Sequence, residues 1–133
     1  MAVTATVGYD VHITRKSEWS DDDGPRITES EWQAYVASDP DMAITGVAEI
    51  TNPEGETIRL IQPLLTEWRG HSGRSPVWIS YFEGSLAIKN PDDECLAKMR
   101  QIASKLRARV QGDEGEFYDE PPRKLSFLRR LFG

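Results

Sequence analysis

Val7, Tyr9, Val11 and Ile13 alternate with Gly8, Asp10, His12 and Thr14 near the start of the chain. Alternation of period two predicts a half-buried strand. The next stretch, "RKSEWSDDDGPR" over 15–26, is polar and rich in turn formers, so it reads as a loop. Thr28 then opens a helix. Thr28 and Glu31 have capping-box spacing, in which the hydroxyl takes the Glu31 amide and the carboxylate reaches back to the Thr28 amide. Ile27 and Trp32 stand where a hydrophobic staple closes, and Trp32, Tyr35 and Val36 give one apolar face. Asp39-Pro40 stops the helix, because a residue before proline avoids the α region.

Two hairpins follow. Ile44, Ala48 and Ile50, with Gly46, precede the turn Asn52-Pro53-Glu54-Gly55, and Ile58, Leu60 and Leu64 come after it. The glycine-containing stretch "EWRGHSGRSP", 67–76, reads as a loop. "VWISYF" and "SLAIK" flank Glu83-Gly84, the signature of a tight two-residue turn. The long helix is expected to begin with Asn90 as N-cap and Pro91 in the first position, with Asp92, Asp93 and Glu94 at its positive end. Leu96, Met99, Ala103, Leu106 and Val110 recur at helical spacing and form its core stripe. Gly112 can end it; alternatively 109–111 is extended and joins the sheet.

The order strand, helix, hairpin, hairpin, long helix predicts an α+β fold. The expected form is an antiparallel sheet of about five strands with two main helices packed on one face. Residues 1–118 form a single domain. Residues 119–133 read as a C-terminal appendage, partly flexible or a short amphipathic turn, broken from the domain by Pro121-Pro122.

Charge adds a second pattern. The chain carries a formal −6, and it is unevenly spread. Residues 113–120 hold five acids and no base, whereas residues 121–133 hold four bases and no acid. The acidic body argues against a nucleic-acid partner, because phosphates need a basic face. It suits a basic protein partner. No apolar run approaches the ~20 residues of a membrane span. One cysteine, Cys95, and the lack of a signal peptide point to a reducing cytoplasm.

Candidate chemistry is sparse. Zinc needs three or four ligands in reach, and His12, His71 and Cys95 fall at unrelated spacings. "SDDDGPR" resembles the start of a calcium loop, but no alternating acid series continues, and "GDEGE" lacks further ligands. No glycine-flanked serine, phosphate loop or dinucleotide fingerprint is present. The expectation is no catalytic residue, no metal and no cofactor. Trp19 and Trp68 fall in or beside loops, where an aromatic anchor among acids suits a protein interface.

The blocks "YDVHITR", "IT..EW..YV..DP" and "NPDDECLAKM..IA..L.ARVQGDEGEFY" resemble an uncharacterised family of small bacterial cytoplasmic proteins, over roughly residues 8–118. The resemblance carries no catalytic residue over to this chain. Small, acidic, single-domain proteins of this type are similar to immunity proteins, which neutralise toxins. The resulting expectation is a non-enzymatic protein-binding module, an immunity-type inhibitor of a basic toxin. Its field comes from Glu18, Asp21, Asp22, Asp23, Asp113, Glu114 and Glu116, with Trp19 and Trp68 as anchors. The alternative is a small enzyme or ligand-binding domain in which His12, Arg15 and His71 converge. A homodimer joined through a sheet edge is a third arrangement.

Overall fold

The computed structural model describes residues 9–119. The alternating segment is β1, Asp10–Thr14. The capping box at Thr28 closes in both directions, at 3.1 Å and 2.9 Å, and starts α1, Glu29–Ser38. Ile27 and Trp32 are both buried, as a staple requires. The chain then forms β2 (Met42–Ile44), β3 (Val47–Thr51), β4 (Thr57–Ile61) and β5 (Thr66–Trp68). After these come β6 (Val77–Phe82), β7 (Ser85–Lys89), α2 (Asp93–Leu106) and β8 (Arg109–Gly112).

Six strands form one antiparallel sheet in the order β2-β5-β6-β7-β1-β8, while β3 and β4 form a separate two-stranded sheet. The fold is α+β. The turn between β6 and β7 has positive φ at both central residues, 49° at Glu83 and 82° at Gly84, the geometry that matches strand twist. Gly84 is also required by crowding: a Cβ there would lie 2.5 Å from the Arg26 side chain.

Several boundaries differ from the sequence expectation. Ile44 belongs to β2, which pairs with β5 and not with the β3–β4 hairpin. Leu64 lies outside the strands, with φ 65°. The N-cap of α2 is Asp92, whose carboxylate accepts the Cys95 amide at 2.9 Å. Asn90 is instead left-handed, and its side-chain oxygen accepts the Tyr9 amide. α2 ends at Leu106 because Arg107 adopts the left-handed cap, φ 55°, so Val110 sits in the sheet. The extended alternative for 109–111 is the one observed. Asp119 accepts hydrogen bonds from Arg109 and the Val110 amide. Val7 and the rest of the appendage, 120–133, lie outside the described residues.

The sheet has two unlike faces. Val11, Ile13, Val77, Ile79, Leu86, Ile88 and Val110 point to the helices and form the core with Trp32, Met99, Ile102 and Leu106. A buried ion pair crosses this side: Lys98 reaches Asp39 at 2.6 Å, each side chain only 9% exposed. At its rim, Arg15 joins both helices. It donates to the Leu106 carbonyl at the end of α2 and forms two 2.8 Å bonds to Glu31 in α1. The other face carries Asp10, His12, Ser80, Phe82, Ser85 and Ala87 in register, with no helix upon it among the described residues. No helix among the described residues is long and apolar enough to cross a membrane.

Candidate functional site on the helix-free face

β1 places His12 in the middle of the helix-free face, opposite Ala87 on one neighbour and Gln111 on the other. The 15–26 loop folds back over it. Trp19 stacks on the imidazole with ring centres 3.9 Å apart and planes 5° from parallel. His12 Nε2 lies 2.8 Å from Asp113 Oδ1. An ionised carboxylate only accepts, so this nitrogen carries a proton and donates it. Asp113 Oδ2 also takes the Asp10 amide at 2.8 Å. His12 ends 7% exposed, so the polar position of β1 is a buried one here.

Gln111 is the second tie. Its side-chain oxygen accepts the Trp19 amide at 2.7 Å, and its nitrogen donates to the Gly115 carbonyl and to Glu18. The Trp19 indole donates to the Asp113 carbonyl at 3.3 Å. Two acidic segments distant in sequence, 18–23 and 113–116, are thereby fixed against one another. Gly112 closes the 112–116 turn by donating to the Glu116 carbonyl at 2.7 Å; a Cβ there would lie 2.4 Å from the Glu116 carboxylate. Glu18, Asp21, Asp22, Asp23, Glu114 and Glu116 are exposed and form no ion pair among the described residues. Asp113 differs from them, since both its oxygens are engaged inside the fold.

Trp68 is not part of this edge. It lies in β5, not in a loop, and is 5% exposed, packed in the core beneath Lys98. Three strand spacings separate β5 from β1, about 14 Å. The residues offered for an enzyme are also held apart. Arg15 binds the carbonyl end of α2, whereas His71 binds Asp92 at its amide end at 2.7 Å. A 14-residue helix separates them, about 20 Å, and His12 lies on the opposite face of the sheet.

His71, Asp92 and Cys95 bring ligand atoms within 4.8 Å of one another. The histidine is already committed. Its Nδ1 accepts the Gly73 and Arg74 amides at 3.0 and 2.9 Å, which fixes the proton on Nε2 and directs it to Asp92. Ligation through Nε2 would move that proton onto a nitrogen facing two donors. The Cys95 amide, with help from His71, holds the Asp92 carboxyl down at about 2, and burial pushes the Cys95 thiol up. The cluster therefore caps α2.

Two cavities open on the helix-free face. One, of about 330 Å³, lies between Trp19, His12 and Phe82. The other, of about 480 Å³, lies beneath the β3–β4 hairpin, between Ile50, Leu60 and Trp78. Asp10, Ser80 and Ala87 line both, so the two adjoin along one trough of this face. This trough leaves little trace in the sequence. Its local signs are Ser80 in β6 and Ser85 and Ala87 in β7, small residues at positions that alternate with apolar core residues. Comparison with protein-family models, curated proteins and solved structures gives no match.

Proposed function

We propose that the protein is a non-enzymatic binding module that receives a basic protein partner at the acidic edge around Trp19. The observation carrying this reading is the fixing of segments 18–23 and 113–116 together by Gln111 and the Trp19 indole. Like charges gathered by specific hydrogen bonds raise the local potential and steer a cationic surface toward the edge. Trp19 is half-buried, with one ring face on His12, and so is a rigid aromatic anchor of the kind that slows release. An immunity-type inhibitor of a basic toxin is the concrete form of this reading.

The test is capture of a cationic partner by the full chain, identification of that partner, and co-production of the two in cells. The expected results are rescue from the partner's toxicity and weaker association as salt rises from about 0.05 to about 0.5 M. The variant Asp22→Lys, Asp23→Lys, Glu114→Lys should lose both effects. Unchanged capture and unchanged salt dependence in that variant would remove the acidic edge from the interaction.

A further inference from the structure

The two cavities meet at Asp10, and its carboxylate is the least satisfied polar group of the trough. Oδ1 is buried and has no hydrogen-bond partner among the described residues. The nearest cation, the largely exposed Lys89 ammonium, stands 3.9 Å away, beyond hydrogen-bonding distance. Asp113 adds negative charge beside it through the Asp10 amide. The Arg74 guanidinium on the same wall is already spent on the Asn90 and Lys89 carbonyls. Apolar side chains rise on both sides: Ile50 and Leu60 from the hairpin, 48% and 42% exposed, and Phe82 at the opposite end, 67% exposed. Trp78 lines the cavity beneath the hairpin. An acid whose buried oxygen lacks a hydrogen bond and has only a loosely held lysine nearby, an indole further along the same cavity and aliphatic walls complement one kind of group, a cation on an apolar stem.

We infer that this trough is the seat of a partner's arginine, carried on an extended segment whose neighbouring residues are apolar. Arginine fits better than lysine because its flat guanidinium can meet a carboxylate edge-on and lie against an indole face. The flanking apolar residues cover Ile50, Leu60 and Phe82, which are otherwise left in water. This inference deepens the proposed function and rests on it: the acidic edge attracts the basic partner, and the trough supplies the specific contact.

The probe is a short synthetic peptide with one central arginine between leucines, with copies carrying citrulline or glutamate at that position. Each is titrated into the isotopically labelled full chain. The expected result is saturable resonance shifts at Asp10, Ser80, Ala87 and the Trp78 indole, with citrulline about tenfold weaker and glutamate without effect. Asp10→Asn should weaken the arginine peptide about tenfold and leave the citrulline peptide unchanged, which isolates the pair. Asp10 makes no side-chain hydrogen bond among the described residues, so this variant should fold normally. Ala87→Leu, which fills the floor, should abolish the response to all three peptides. No saturable response, equal binding of the glutamate peptide, or an unchanged affinity in Asp10→Asn would overturn the inference. Self-association of the peptide-free chain that Asp10→Asn abolishes would also overturn it, by assigning the trough to a second copy. Neutralising Asp22, Asp23 and Glu114 separates the two readings. Loss of binding there but not in Asp10→Asn keeps the acidic edge and removes the trough; the reverse keeps the trough and removes the edge.

Discussion

The helix-packed and helix-free faces of the six-stranded sheet are built from alternate residues of the same strands, yet they hold opposite chemistry. Ile79 is fully buried against the helices, while its neighbour Ser80 lines the open trough. On the helix side, even the charges are locked in pairs, Lys98 with Asp39 and Arg15 with Glu31. On the open side, Asp10 Oδ1 lacks a hydrogen bond, with Lys89 3.9 Å away, and the exposed acids at 18, 21–23, 114 and 116 form no ion pair among the described residues. The contrast puts the satisfied charges on one face and the under-satisfied ones on the other; native interiors satisfy their polar groups and unsatisfied ones call for an explanation, which the proposed function supplies as recognition.

The largest expected effect tests whether the helix side tolerates an unpaired charge. Burial pushes the Asp39 carboxyl up, but the Lys98 ammonium and the Asp41 amide outweigh it, so the group stays ionised. Lys98→Ala leaves that carboxylate with Tyr35 and Asp41 alone. Loss of one partner of a buried pair costs about 3–5 kcal/mol. Lys98→Met, which retains the apolar stem, should lose less. Urea unfolding measures both, and a loss below about 1 kcal/mol in Lys98→Ala would show that water reaches the pair.

The next effect sharpens the comparison within two adjacent residues. Ile79→Ala should cost about 2–4 kcal/mol through lost burial and the cavity left behind. Ser80→Ala removes only a marginal 3.5 Å contact to the Ala87 carbonyl and should stay within about 0.5 kcal/mol. Equal losses at the two positions would end the division of labour between the faces. A stability change at Ile79 with no change in peptide binding would support it.

The helix side was the legible one. Val11 and Ile13, the Thr28–Glu31 box and the Glu83-Gly84 turn are local signals, and the structure uses each. The start of the long helix was misplaced at Asn90, because Asn90 and Asp92 are both good cap residues. Distant partners decide it: Asn90 is drawn to the Tyr9 amide, and Asp92 is held by His71. The open face was nearly illegible for the same reason. That β8 lies beside β1, and so brings Gln111 to Trp19, follows from a pairing between residues about a hundred positions apart. Trp68 was misread because its strand has three residues and runs straight into the glycine-containing stretch 70–76, which resembles a loop in sequence.

The smallest effect concerns the rim where the helix side meets solvent. The Arg15 guanidinium, helped by the Thr28 amide, holds the Glu31 carboxyl at about 2, below its ordinary 4.5. Folding thus favours the ionised form. Its contribution is fully present above pH 4.5 and disappears as the pH falls toward about 2. Glu31→Gln isolates this charge, because glutamine still closes a capping box. The wild type should be more stable than Glu31→Gln at neutral pH, and the gap should close as the solution is acidified through that window. Asp92 titrates in the same range but is present in both proteins, so it cancels from the difference. Glu31 is 41% exposed, so added salt should shrink the gap as well. Unfolding midpoints at neutral pH and near pH 2, at low and high salt, measure it. A gap that persists unchanged in acid would mean that Glu31 acts through its shape and hydrogen bonds rather than its charge, leaving the rim as indifferent to pH as the apolar core beneath it.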